Sequence, residues 1–341
     1  MKAPLDIHRI VISRTDSIGD VILTLPLCAW LKSQFPNCTV IFLGKSYTKP
    51  VVDCYSAVDE FVDWQEIEAL PSAAKVAHIA ALNADAIVHV FPVKEIASLA
   101  KKAKIPMRIG TSHRGFHLLT CNHRVNFTRK RSELHEAQLN FELLRPLGLH
   151  EIPSLKLVKE YGSLFNPVSV DLPQEVNEIL NASLKTVILH PKSQGSALEW
   201  PLGRYMELAT FLANSGTTVF FTGTQQEGTA FRAQIPSNAL IHDITGKLTL
   251  AQLIVLVSKV NAVVACSTGP LHIAGVCGIR AVGLYSPRKP IHPGRWQPLG
   301  KRVEVIVHDA DCPMCKKGKK CLCVQEISVE QVVAALTSPA K

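Results

Sequence analysis

A glycine followed at once by an aspartate, Gly19-Asp20, closes the loop Arg14-Thr15-Asp16-Ser17-Ile18-Gly19-Asp20, which follows the apolar run Arg9 to Ser13. A carboxylate at the opening of a helix can take a proton from a bound alcohol, and glycine lets another backbone or a substrate come close. The loop lacks the spaced glycines of a dinucleotide fingerprint and the Gly-Lys-Ser/Thr of a P-loop. On residue type alone, the plainer role for an aspartate there is a cap or a partner for the helix dipole.

Four further loops follow apolar runs, and each carries groups suited to anions. His190-Pro191-Lys192-Ser193-Gln194-Gly195-Ser196-Ala197-Leu198-Glu199-Trp200-Pro201 has the small, polar composition of a backbone nest. Thr222-Gly223-Thr224-Gln225-Gln226-Glu227 is the next. Ser267-Thr268-Gly269-Pro270-Leu271-His272 places two hydroxyls, a glycine and a proline at a predicted helix start, where free amides suit a diphosphate and where plain capping is the competing role. Ser286-Pro287-Arg288-Lys289-Pro290 is strand-terminal and cationic. His190 and His272 read as packing or hydrogen-bonding residues, with a phosphate contact as the alternative.

Two other clusters stand apart. Cys312, Cys315, Cys321 and Cys323 form C-x2-C-x5-C-x-C with Lys316, Lys317, Lys319 and Lys320 between the pairs. Four thiolates could ligate zinc tetrahedrally, but the spacing is shorter than in ordinary zinc ribbons, so the reading is reduced or adventitiously bridged thiols in a surface loop, with structural zinc as the alternative. A basic stretch holds Arg114, Arg124, Arg129, Lys130 and Arg131, and its plain reading is a solvated face.

Elements that position these loops alternate along the chain. Strand-like runs at Arg9 to Ser13, Thr39 to Gly44 and Ala86 to Phe91 interleave with helical patterns over Asp20 to Ser33 and Ile96 to Lys104. This is βαβ grammar, a parallel sheet covered by helices. A helix is predicted from Ser132 to Leu144, stopped by Pro146-Leu147-Gly148, and Leu149 to Leu184, with Pro153, Pro167 and Pro173, reads as a linker. A second series follows: strands Thr186 to His190, Thr217 to Thr222 and Ala262 to Cys266, helices Gly203 to Ser215, Thr249 to Val257 and from Leu271, and a last helix Ser328 to Leu336. The expected organisation is two α/β domains, residues 1–165 and 166–326, followed by a C-terminal helix and tail over 327–341.

Composition narrows the classes. With 341 residues, 47% hydrophobic and 19% charged, disorder and fibrous repeats are excluded. The most apolar stretch, Leu250 to Cys266, is broken by Gln252, Lys259 and Asn261, so no membrane span is expected. Asp6 and Arg9 stand where a signal peptide would be apolar, and the chain is read as cytoplasmic with reduced cysteines. A net charge of +9 favours anionic partners. Aromatics at 6%, not interleaved with the basic stretch, argue against nucleic acid as that partner.

Together, Ser17-Ile18-Gly19-Asp20 with Leu25-Pro26, His190-Pro191 leading to Ser196 and Trp200-Pro201, Phe221-Thr222-Gly223, and Ser267 to Ala274 resemble the ADP-heptose:lipopolysaccharide heptosyltransferases of glycosyltransferase family 9. His135-Glu136-Ala137-Gln138 before Leu144 to Gly148, and the terminal cysteines ahead of Ile327-Ser328, are also similar to that family. The likeness runs along nearly the whole chain. It implies a GT-B fold, two Rossmann-like domains facing across a cleft, with acceptor on the N-terminal domain and nucleotide-sugar on the C-terminal one.

The resemblance further implies inverting transfer of a sugar, heptose from ADP-heptose, with no metal ion or other cofactor in the reaction. Asp20, and not Asp16, becomes the general base. The implied donor positions are Lys192, Ser193, Gly195, Ser196, Thr222, Gly223, Glu227, Leu248, Ser267, Thr268, Gly269, His272 and Arg288. Ser17, Gly19, Arg114, Arg124 and Arg131 fall to the acceptor, a phosphate- and carboxylate-bearing glycolipid at the cytoplasmic face of the inner membrane, where guanidinium groups match both anions and peripheral attachment would follow. Two positions depart from the family pattern: Leu198 stands where a lysine is usual and Ser267 where an aspartate is usual. Lys192 would then have to supply the missing cation. Competing readings are a nucleotide-sugar epimerase or hydrolase on the same scaffold and a basic nucleic-acid-binding protein.

Overall fold

The computed structural model describes residues 6–129, 132–319 and 321–338. The chain divides into two compact units, Met1–Asn166 and Pro167–Lys341. In the first, β1 (Arg9–Ser13), β2 (Thr39–Gly44), β3 (Glu60–Asp63), β4 (Ala86–His89), β5 (Met107–Thr111) and β6 (His123–Val125) form one sheet in the order β3-β2-β1-β4-β5-β6. In the second, β7 (Thr186–His190), β8 (Thr218–Phe221), β9 (Ile241–Asp243), β10 (Ala262–Cys266), β11 (Arg280–Leu284) and β12 (Val303–Ile306) are ordered β12-β11-β10-β7-β8-β9. Every pairing is parallel.

Central strands such as β7 and β10 are buried at every residue, because helices cover both faces of a parallel sheet and solvent reaches neither. Their Val- and Ile-rich composition follows from that burial. Numbered within its own unit, each sheet has the doubly wound order 3-2-1-4-5-6. The order reverses between β1 and β4 in one unit and between β7 and β10 in the other, and ligands bind at such switch points, beyond the carboxyl ends of the strands.

Several elements differ from the sequence reading. The predicted Asp20 to Ser33 helix is two, Ile18–Ile22 and Pro26–Gln34, since Pro26 has no amide to continue the first. The Ser132 to Leu144 helix is a shorter one, Glu136–Phe141, followed by a 3₁₀ segment to Leu147 and Gly148 at φ 95°. The predicted linker contains two helices, Leu155–Gly162 and Gln174–Ala182. Two of its prolines mark helix starts: Ser154, just after Pro153, caps the first through the Leu157 amide, and Pro173 is the N-cap residue of the second.

The last helix, Val329–Thr337, belongs to the second unit. Ser328 and Gln331 form its capping box, Val329 and Val332 enter the unit's core, and Trp200 donates from Nε1 to the Ile327 carbonyl at 2.9 Å. Arg280, at the start of β11, donates to the carbonyls of Ala335 and Ser338, each at 2.6 Å. Among the described residues, no helix is long and apolar enough to cross a membrane.

Candidate active site

At the first switch point the chain turns from β1 into the Ile18–Ile22 helix, and that turn concentrates charge. Arg14 is buried, and its guanidinium pairs with Asp16 at 2.6 Å and with Asp20. The Ser17 hydroxyl donates to the other Asp20 oxygen, so both oxygens are oriented while the side chain stays 20% exposed. Each carboxylate oxygen has a further lone pair, which leaves room for a substrate hydroxyl. Phe91, after β4, lies under the guanidinium, 6.0 Å from ring centre to Cζ. Thr24 donates to the Asp20 carbonyl at 2.8 Å, and Asn140 donates to Leu23 O and Thr24 Oγ1, which ties the Glu136–Phe141 helix to the one bearing Asp20. Buried Glu136, in turn, is paired with Arg129 at 2.8 Å.

One guanidinium serving two carboxylates leaves the group a net negative charge if both ionise. Burial and the neighbouring Asp20 outweigh Arg14 at Asp16, whose carboxyl is pushed up to about 6. Arg14 is the residue that sequence reasoning passed over; a cation at a strand end carries no mark of being buried. Deeper at the same edge, Ser13 Oγ, both ring nitrogens of His89 and Nε2 of His117 lack hydrogen-bond partners among the described residues.

Other acceptor candidates are dispersed. Gly19 is buried within the Asp20 helix. Arg114 is exposed in the loop after β5, whereas Arg124 lies on the edge strand β6 and donates to the Cys121 carbonyl at 3.0 Å. Arg131 lies outside the described residues. Leu118 and Leu119, in the short helix His117–Thr120 that follows Arg114, are 61% and 74% exposed.

At the second switch point the loops after β7 and β10 supply mostly neutral donors. Gln194 and Gly195 take successive left-handed conformations, φ 50° and 80°, and Ser196 donates from both N and Oγ to the Ser193 carbonyl. The loop closes on Glu199: its carboxylate takes Lys192 Nζ at 2.5 Å, the Ser193 amide at 2.9 Å and the Ser193 hydroxyl at 3.0 Å. Burial works to raise this carboxyl, but those bonds hold it below the usual range. Lys192 is therefore already neutralised by Glu199, a partner the sequence reading left unassigned, and is not a free replacement for the cation absent at Leu198.

Thr268, at the end of β10, is the N-cap residue of the Gly269–Val276 helix, yet its hydroxyl makes no capping bond and Oγ1 is buried without a partner among the described residues. Plain capping, the competing role for this threonine, is thereby set aside. Glu227 completes a capping box with Thr224, and Thr222 bonds the ring of His190, a histidine that burial keeps neutral. Half-buried Leu248 precedes Thr249, the cap of the Leu250–Lys259 helix. Gly223 lies against Glu227, where an added Cβ would stand 3.2 Å from its carboxylate. His272 is buried within the Thr268 helix, and Ser267 is half-buried just before it. Arg288 is half-buried after β11, and among the described residues it pairs with no carboxylate.

Residues 79–324 match the model of glycosyltransferase family 9 (heptosyltransferase). The chain belongs to glycosyltransferase family 9. It is an enzyme of the glycosyltransferase class, with the α/β architecture called GT-B. A Haemophilus influenzae protein provisionally named a glycosyltransferase is 26% identical over 338 residues, 97% of this chain and 96% of that protein. The lipopolysaccharide core heptosyltransferase OpsX of H. influenzae is 25% identical over 240 residues, 62% of this chain and 67% of OpsX. Among solved structures, E. coli ADP-heptose lps heptosyltransferase II superposes with a TM-score of 0.74 at 18% identity, covering 96% of this chain and 97% of that one.

Proposed function

We propose that this family 9 glycosyltransferase moves a heptose from an ADP-linked donor onto a sugar hydroxyl of a lipopolysaccharide core acceptor, with inversion at the anomeric carbon. One observation carries the reading: Asp20 sits at a switch point, oriented through both oxygens by Arg14 and Ser17 and still reachable from solvent. The names of the relatives, lipopolysaccharide core heptosyltransferase and ADP-heptose heptosyltransferase, support the donor and acceptor class.

In the proposed step, an acceptor hydroxyl attacks the anomeric carbon as the bond from that carbon to the diphosphate oxygen breaks. The bonding pair leaves with ADP, and the hydroxyl proton passes to the Asp20 carboxylate. Charge developing on the diphosphate is met by the amide end of the Gly269–Val276 helix, the unpaired Thr268 hydroxyl and Arg288. Thr222, Gly223, Glu227, Leu248, Ser267 and His272 would line the donor, while Ser17, Gly19, Arg114 and Arg124 would serve the acceptor. Exposed Leu118 and Leu119 beside Arg114 support peripheral contact with an anionic lipid surface at the cytoplasmic face.

Incubation with ADP-heptose and lipopolysaccharide lacking its outer heptoses should release ADP only when acceptor is present, and the product's anomeric configuration should be opposite to the donor's. ADP release without acceptor would instead identify a hydrolase, and stabilisation by UDP or GDP sugars but not by ADP-heptose would reassign the donor.

A further inference from the structure

The chain reverses an ordinary burial preference between β12 and the last helix. Within residues 312–323, the large apolar side chains Met314 and Leu322 are 45% and 58% exposed, whereas Cys312, Cys315 and Cys323 are buried and Cys321 partly so. The four cysteines pack as a cluster of their own with no aliphatic or aromatic member. Their sulfurs all lie within 4.8 Å of one another, with Cys315 to Cys321 at 2.7 Å and Cys315 to Cys323 at 3.9 Å. A surface loop of unrelated thiols would not turn four sulfurs onto one point.

We propose that these four cysteines bind one thiophilic metal ion, zinc or iron, as a structural tetrathiolate centre. Metal–sulfur bonds of about 2.3 Å in a tetrahedron put sulfurs about 3.8 Å apart, a value that the separations here bracket. Sulfur-only tetrahedral sets select those two metals. Local backbone is shaped for the task. Cys312 precedes the short turn Pro313–Lys316, Gly318 follows at φ 68°, and its amide donates to the Cys315 carbonyl at 2.9 Å, so the chain reverses between the first and second cysteine pairs. A divalent ion with four thiolates carries two net negative charges, and exposed Lys316, Lys317 and Lys319 stand between the pairs to offset them.

The cluster also has something to hold. Cys315 Sγ lies 3.5 Å from Ser286 Oγ, which accepts from the Arg288 amide at 3.2 Å, so the centre braces the loop after β11. On its other side, Val324 and Ile327 enter the core beside Trp200. A segment with no apolar core of its own needs another source of order, and metal ligation supplies it.

The test is elemental analysis of the full chain purified without chelator from zinc- and iron-supplemented cultures. One equivalent of metal per chain is expected, colourless with zinc and coloured by thiolate-to-iron charge transfer with iron. Replacement by Co(II) should give the intense visible bands of a tetrahedral thiolate site, and Cys321→Ser, at the least buried ligand, should weaken or abolish them. Chelation should convert four protected thiols into four that react with a thiol reagent and should lower Tm. Metal-free protein whose four thiols react at once, or a mass showing a disulfide between them, would overturn the proposal. Should Cys321→Ser fail to fold, the wild-type cobalt spectrum and thiol count still decide, and none of these readouts depends on sugar transfer.

Discussion

The two units repeat one strand order and use its switch point in opposite ways. In the first, the turn after β1 packs a buried cation against two carboxylates. In the second, the turns after β7 and β10 offer hydroxyls and amides, and the cation–carboxylate contact of Lys192 with Glu199 closes the loop upon itself. The scaffold repeats the place, and the side chains decide whether it presents paired charges or neutral donors.

If this division is right, the units should fail differently. The largest effect is expected from Asp20→Asn, a fall in kcat of roughly a thousandfold with ADP affinity unchanged by calorimetry, in keeping with the loss of a general base. Wild-type turnover, or an equal loss of ADP binding, would break the contrast. Arg14→Met should follow, with kcat down roughly a hundredfold and stability down by about 3 kcal/mol, because it leaves two partly buried carboxylates without their partner. Denaturant titration beside kinetics would separate the two losses.

In the other unit, Thr268→Val should weaken ADP by about tenfold while leaving Tm unchanged or slightly higher. Among the described residues its hydroxyl has no partner to lose on folding, but it would lose one to a bound phosphate. A lowered Tm with unchanged ADP affinity would return this threonine to a structural role.

The smallest expected effect is on stability against pH. Burial, aided by His117 and Arg108, pulls His89 from 6.5 down to about 3. Between those values the unfolded chain binds a proton that the folded one refuses, so this group's contribution to stability is present above pH 6.5 and is lost as pH falls toward 3. Asp16, raised from 3.8 to about 6, acts in the reverse sense, costing stability as pH rises through that window. His89→Leu should therefore flatten the acid limb of the stability curve and Asp16→Asn should steepen it, each checked by urea midpoints from pH 4 to 7.

Much of this architecture was legible because central parallel strands cannot hide: β1, β2, β4, β7, β8 and β10 are apolar runs bounded by polar loops. Edge strands such as β6 and β9, three residues each, leave too short a pattern to read. The helices Leu155–Gly162 and Gln174–Ala182 were concealed by prolines that break a helix within it but begin one at its first turn. Asp20 and Thr268 could be singled out from loop chemistry together with resemblance. Arg14 and Glu199 could not, since ion pairing is a matter of approach in space. For the four cysteines the short spacing favours reduced or adventitiously bridged thiols in a surface loop, and their convergence in space is what points to a shared ion.

The hook from Arg280 to Ala335 and Ser338, with Val329 and Val332 inside the core, bears on the order of events at the ribosome. The first unit contains all its own strands and can close while the rest of the chain is still being made. The second must wait, the helix-facing side of β11 and β12 and the floor beneath Trp200 open to solvent until the final helix has been made. That interval, rather than the finished enzyme, is when a chaperone would find greasy surface to hold.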